Sequence, residues 1–356
     1  MRSESLDFLR ELVEAPSPSG YEQPAARVFR DYVGSYADDV TTNVMGSVHA
    51  RLRGSAGGDE PPTVLLAGHI DEIGFMVNYI TPEGFIAFKP IGGWDAHNLP
   101  GRRVYVHAAE GPLLGVLGRL PIHLIDDEES KKIAKIHQLF IDLGLPNDEV
   151  KKRVRVGDAV TIDEELELFG DGMAVSRAFD DKMGAWACAE VLRLVKEAGG
   201  AKFDVVAAAT VQEEIGLRGG TTSAYSVHPL VGLAVEVGHA TDYPDVNKRR
   251  HGEADCGKGP IIARGPNINP KVYDELVAAA EADNIPYQIG AEPRGTGTDA
   301  NAIQLSRGGK AAGLVSVPLR YMHTPSEVLS MVDLENTAKL MAAFVRRLDP
   351  AVDFTP

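Results

Sequence analysis

Apolar residues recur at helical spacing near the start of the chain, at Leu6, Leu9, Leu12 and Val13, and again at Val28, Phe29, Tyr32 and Val33. The breaker segment Pro16-Ser17-Pro18-Ser19-Gly20 separates the two patterns. Thr63-Val64-Leu65-Leu66-Ala67 follows as a short apolar strand. From about Ile73 to Leu166 the pattern changes to short β-rich segments punctuated by glycine, such as Phe85-Ile86-Ala87-Phe88, Val104-Tyr105-Val106 and Leu113-Leu114-Gly115-Val116-Leu117; this spacing predicts a compact β domain. Inside it, the alternating charges from Asp127 to Leu143 predict a helical insertion lying on a surface.

After Phe169 helices and strands alternate. Helices are expected near Lys182–Glu197, Pro270–Asp283 and Asp333–Arg347, and strands near Val205–Thr210, Val231–Val235 and Ala312–Val317. Unbroken apolar strands alternating with helices indicate an α/β sheet covered on both faces. The expected architecture is a discontinuous α/β domain, residues 1–72 and 167–356, interrupted by a β-rich domain over residues 73–166.

Open α/β sheets gather ligands at the carboxyl ends of their strands. Three predicted exits carry candidate groups: His69 after Val64–Ala67, Glu213-Glu214 after Val205–Val211, and Glu236 after Val231–Val235. His323 follows Leu314–Val317 after a short loop, and Asp180-Asp181 precedes a helix. Most have an ordinary explanation in isolation. A histidine bonded inside a core accounts for His69, with Asp71 two residues on; an N-cap pair accounts for Asp180-Asp181; a buried ion pair accounts for Glu236; and a loop carbonyl accounts for His323.

Glu213-Glu214 is harder to explain by folding alone, because Val205-Val206-Ala207-Ala208-Ala209 precedes it and Ile215-Gly216-Leu217 follows it. Carboxylates there are expensive to desolvate unless a cation or proton meets them. Two imidazoles and several carboxylates form the mixed nitrogen and oxygen set that suits zinc, cobalt or manganese, whereas magnesium alone calls for no histidine. With two ions about 3.5–4 Å apart, a shared carboxylate and a bridging water become possible, and a carboxylate free of metal could take the water's proton.

Composition narrows the function classes. A chain of 356 residues, 44% hydrophobic and 24% charged, can bury one large core and a smaller one. A formal charge of −15 argues against nucleic acid as a partner, since phosphate binding needs a surplus of lysine and arginine. No run approaches the roughly 18 apolar residues of a membrane span. The start, Met1-Arg2-Ser3-Glu4-Ser5, leads into no signal-type apolar region, so a cytoplasmic protein is expected. The two cysteines, Cys188 and Cys256, offer no disulfide framework.

Taken in order, Gly68-His69-Ile70-Asp71-Glu72-Ile73-Gly74-Phe75, Ala178-Phe179-Asp180-Asp181-Lys182-Met183-Gly184, Glu213-Glu214-Ile215-Gly216, Glu236, Gly297-Thr298-Asp299-Ala300 and Met322-His323-Thr324-Pro325 resemble the M42 metallo-aminopeptidases, the tetrahedral, glutamyl or deblocking group. The resemblance implies a zinc-peptidase-like catalytic domain whose central mixed sheet is flanked by helices, and a PDZ-like dimerisation domain as the β-rich insertion. It implies two divalent ions per subunit, zinc first with cobalt or manganese as alternatives. Asp180 bridges them, one ion also held by His69 and Glu236, the other by Glu214 and His323.

Glu213 is then the general base, Asp71 orients His69, and Asp181 supports the bridging turn, where related enzymes have a cis peptide. Short peptides are the implied substrates, and the implied assembly is a dimer-based homo-oligomer, up to a tetrahedral dodecamer. Many members carry Asp where Glu236 stands, which bears on exopeptidase polarity. A related carboxypeptidase or amidohydrolase, a metal-free glycoside hydrolase using paired carboxylates and an inactive scaffold are the alternatives.

Overall fold

Neighbouring residues along the central strands pack on opposite faces of one sheet, and that alternation organises the larger part of the molecule. The computed structural model describes residues 1–58, 61–126 and 132–356. In the strand Thr63–His69, Val64 and Leu66 enter the main core, while Leu65 and Ala67 enter a smaller cluster on the other face. In Asp204–Thr210, Val205, Ala207 and Ala209 likewise oppose Val206 and Ala208. Both faces are apolar because both are covered. The main core takes residues from the helices Ser3–Glu14, Gln23–Val33, Phe179–Glu197, Pro270–Ala282 and Met331–Arg347; the smaller clusters take residues from Arg218–Val227 and Asp299–Gln304.

Among the described residues the sheet has eleven strands and is mixed. Its middle is parallel, in the order Asp204–Thr210, Thr63–His69, Val231–His239, Ala311–Arg320. Antiparallel strands extend it on both sides, Val48–Leu52 against Asp204–Thr210 and Glu327–Ser330 against Ala311–Arg320. The register sets Thr210 opposite His69 and Ala234 opposite Ala67, so Glu236 and His69 each stand two residues beyond a paired position, on the same edge.

A second unit, with its own core, is a closed barrel of six strands in the order Gly74–Ile80, Ile86–Ile91, Phe140–Asp142, Gly111–Gly118, Arg103–Ala108 and Ala159–Ile162. Phe75, Val77, Phe88, Val104, Val106, Leu117 and Ile141 point inward, with the period of two expected of strands. Within the expected helical insertion, residues 127–131 lie outside the described residues. The remainder is not an α-helix: Ile136–Gln138 is a 3-10 turn and Phe140–Asp142 joins the barrel. Leu139 and Ile141 sit in the barrel core, and this burial overrides the charge pattern that suggested a surface helix. Among the described residues no helix is long and apolar enough to cross a membrane.

The expected helices start near their predicted positions, but three predicted strand ends move outward: Thr63–Ala67 runs on to His69, Val231–Val235 to His239 and Ala312–Val317 to Arg320. Val231–His239 continues past Val235, with Glu236 paired to Ser316, so Glu236 is a strand residue and not an exit residue. An acidic side chain is tolerated there because it faces the candidate site.

Close approach of sheet and helix fixes the position of His69. A Cβ at Gly68 would lie 2.3 Å from the backbone nitrogen of Ala185, in the helix Phe179–Glu197. Gly68→Ala is therefore expected to lower unfolding stability by about 1–3 kcal/mol through overpacking, read as a lower urea midpoint at unchanged slope.

Candidate active site

Five segments bring carboxylates and imidazoles to one edge of the sheet. His69 ends its strand, 1% exposed. Its Nε2 lies 3.3 Å from Asp180 Oδ1 and 3.7 Å from both Glu213 Oε2 and Glu236 Oε2. His323 Nε2 lies 3.2 Å from Asp180 Oδ2 and 3.3 Å from Glu214 Oε1. The structure thus brings His69, Asp180, Glu214, Glu236, His323 and Glu213 together, in a cavity of 1060 Å³. Toward His69, distance alone does not separate Glu213 from Glu236.

Asp180 occupies the centre. The Asp180–Asp181 peptide is cis, and neither residue has helical dihedrals, so the regular helix begins at Lys182. No side-chain cap bond forms at this helix start, and the Asp180 carboxylate faces the two imidazoles instead. Asp181 Oδ2 accepts the His69 backbone N–H at 3.1 Å.

Glu213 and Glu214 stand in a turn between left-handed Gln212 (φ 56°) and Leu217 (φ 56°). Three successive N–H groups of this turn donate to carboxylates. Gln212 donates to Glu22 at 3.2 Å, Glu213 to Asp71 Oδ1 at 3.0 Å and Glu214 to Asp71 Oδ2 at 3.2 Å. Ser19 Oγ also donates to Asp71 Oδ2, at 2.6 Å.

This corrects the geometry expected of Asp71. The hydrogen-bond partner of His69 Nδ1 is the Asp71 carbonyl, at 3.0 Å, and the carboxylate stands 3.5 Å away, already engaged with the Glu213-Glu214 turn. Asp71 thus meets the His69 ring through its main chain and the Glu213-Glu214 turn through its side chain.

Electrostatics show what the cluster lacks. Burial raises Glu236 and Asp181 well above the carboxylate range, raises Glu214, and pushes Glu213 up to about 8. Burial also works against Asp180, but contacts with His323 and His69 hold it below its usual value. Facing Asp180 and Glu214, His323 is pushed up to about 11. Buried negative charge therefore exceeds what two imidazoles can balance: Glu236 Oε1 is buried without a hydrogen-bond donor, and Glu214 Oε1 meets only the His323 Nε2, at 3.3 Å, among the described residues. Such groups are costly unless a cation meets them.

The donor set fits metal. His69, Asp180 and Glu214 present atoms within 4.8 Å of one another, as do His69, Glu213 and Glu236. Ligand atoms at zinc distances stand roughly 3.3 Å apart at tetrahedral corners, close to the 3.2–3.7 Å spacings here.

Several residues at this site carry no obvious signal in the sequence. Glu22, 3% exposed, accepts the Gly20 and Gln212 N–H groups, and burial pushes its carboxyl up to about 7. Glu327 accepts the Asp180 and His323 backbone N–H groups. Glu72, buried beside Asp71, pairs with Arg177 and with the fully buried Lys182. Polar residues within or just after a Pro/Gly break, such as Ser19 and Glu22, read as loop punctuation. Thr298 caps its helix by accepting the Ala300 N–H, while Asp299 accepts from Thr210 Oγ1 at 2.6 Å. His239 lines the cavity from an exposed position.

Residues 46–340 match the M42 glutamyl aminopeptidase family. The lysyl aminopeptidase of Pyrococcus furiosus is 34% identical, the alignment covering 98% of this chain and 99% of that one. Among solved structures, the TET aminopeptidase of the marine sediment archaeon Thaumarchaeota archaeon SCGC AB-539-E09 is 33% identical with a TM-score of 0.91, covering 98% of each chain. The TET1 peptidase of Pyrococcus horikoshii, which can assemble into a tetrahedron or a large octahedral shell, is 28% identical with a TM-score of 0.84, covering 97% of this chain and 100% of that one. With this match across the catalytic sheet and the barrel alike, the chain belongs to the M42 family and is a metal-dependent aminopeptidase.

Proposed function

We propose that the protein uses two divalent ions, zinc first with cobalt or manganese as alternatives, to release N-terminal residues from short peptides. The observation that carries this reading is the placement of Asp180, whose two oxygens face two different imidazoles at 3.3 and 3.2 Å. A carboxylate set between two histidines is the arrangement of a bridging ligand. His69 and Glu236 complete one side of it, Glu214 and His323 the other.

Bound there, the ions supply Lewis-acid polarisation of the scissile carbonyl and a water acidic enough to deprotonate near neutral pH. Glu213 is the base. Its Oε2 sits beside His69 Nε2, and its turn is held rigid by Glu22 and Asp71. It takes the proton of the attacking water on its carboxylate and hands it to the leaving amine nitrogen as the peptide bond breaks. Cleavage from the amino end is supported by the lysyl and glutamyl aminopeptidases to which this chain is similar.

We assign residues 1–72 and 167–356 to catalysis and 73–166 to a dimerisation domain. Exposed Leu114, Val116, Leu120, Ile122 and Leu124 on and after the barrel strand Gly111–Gly118 support a contact surface there. The shell formed by the Pyrococcus horikoshii peptidase supports a homo-oligomer built from such dimers.

Two tests follow. Chelation is expected to abolish hydrolysis of aminoacyl anilides, with zinc, cobalt or manganese restoring it and N-blocked peptides resisting throughout; turnover that persists without metal overturns the reading. Glu213→Gln is expected to retain both ions by mass spectrometry and to lower kcat by about 10²–10⁴-fold. Unchanged turnover removes Glu213 as the base.

A further inference from the structure

We propose that Glu327 is a positioning residue that holds Asp180 and His323 in register with each other. The proposal rests on the two-ion reading, in which Asp180 is the shared carboxylate and His323 a ligand of one ion only.

Glu327 opens the strand Glu327–Ser330 and is 2% exposed. Its two oxygens are divided between two distant segments. Oε2 accepts the backbone N–H of Asp180 at 3.0 Å, and Oε1 accepts the backbone N–H of His323 at 2.9 Å. One rigid carboxylate therefore fixes the separation of two main-chain sites whose side chains must meet, Asp180 Oδ2 and His323 Nε2 being 3.2 Å apart.

The anchor is itself held from outside the cluster. Glu327 pairs in register with Ser176 on the strand Met173–Ser176, and the adjacent Ser326 Oγ donates to Glu164 at 3.3 Å. His323 needs such support more than His69 does. His69 is 1% exposed at the end of a central strand, whereas the His323 side chain is 36% exposed on a loop, at φ 59°. Partners that orient metal ligands in this way govern affinity without touching the ion.

Glu327→Gln keeps the shape but replaces one acceptor oxygen with a donor, so only one of the two N–H groups can still be received. Glu327→Asp keeps both oxygens on a shorter stem. The expected result in a stepwise zinc titration of the full-length protein is one site weakened about 10–100-fold, the one formed by Asp180, Glu214 and His323. The site of His69, Asp180 and Glu236 should change less, and kcat should fall more than KM rises. Glu327→Asp should recover part of the loss.

Thermal unfolding of the metal-free proteins separates this from a general weakening of the fold. A folded Glu327→Gln protein that binds both ions as the wild type does overturns the proposal. So does equal weakening of both sites in step with a lower melting temperature. Should Glu327→Gln fail to fold, Glu327→Asp carries the same comparison. His323→Ala is the control for the underlying reading. If it weakens one site and Glu327→Gln weakens neither, Glu327 alone loses its role; if His323→Ala also leaves both sites intact, the ligand assignment itself falls.

Discussion

Burying an excess of carboxylates at one sheet edge is the constraint on which the architecture depends. Asp180, Glu214 and Glu236 are brought within a few ångströms of two imidazoles, and burial drives most of the cluster away from the charged state. A fold tolerates this only where a cation enters, because unpaired buried charge is costly on the scale of a domain's net stability. The parallel centre of the sheet makes the placement possible. Its strands end together, so residues far apart in sequence become neighbours without long side chains having to reach.

A second layer of acids keeps the first in place by accepting main-chain hydrogen bonds. Asp181 receives the N–H of His69; Asp71 those of Glu213 and Glu214; Glu327 those of Asp180 and His323; Glu22 that of Gln212. These bonds act on the backbone, leaving the oxygens and nitrogens of the side chains that face the cavity free. Behind this layer, Lys182 donates to the Val13 and Ala15 carbonyls and to Glu72, tying the first helix to the start of the helix that follows Asp180. Glu72 thereby resides in a neutralised environment, held down to about 2 against its burial by Arg177 and Lys182, while its neighbour Asp71 faces the site.

Much of this was legible in the sequence, for a physical reason. Apolar runs such as Val205–Ala209 cannot be surface loops, so an acidic pair after one stands out, and Glu213-Glu214 lines the cavity beyond the end of that strand. Glu236 was legible as acidic among apolar neighbours, but its strand continues to His239 because pairing with Ala311–Arg320 persists beyond the hydrophobic run. The stretch before Leu143 misled because its charges alternate as on a surface helix, while Leu139 and Ile141 supply barrel core. Glu22, Glu327 and Lys182 were not legible as supports. Their partners lie 147 to 190 positions away for Glu327 with Asp180, Lys182 with Val13 and Glu22 with Gln212, and no local pattern encodes such distances.

The barrel also bears on the site directly. It is inserted just after Asp71 and Glu72, and its Gly92-Gly93-Trp94 segment returns to the catalytic edge: a Cβ at Gly92 would lie 3.4 Å from Glu214 Oε2, and one at Gly93 would lie 3.4 Å from His323 Nδ1. Trp94 fixes that segment, donating to the Gly74 carbonyl at 3.0 Å and stacking on Phe75 with ring centroids 4.8 Å apart. Glycine is required at position 92, where φ is 73° and a side chain would strike Ile73. Glu214 and His323 are therefore enclosed from one side by a unit with its own core. Any contact that displaces the barrel strands around Phe75 bears on these two side chains before it reaches His69 or Glu236, which are set in the central sheet.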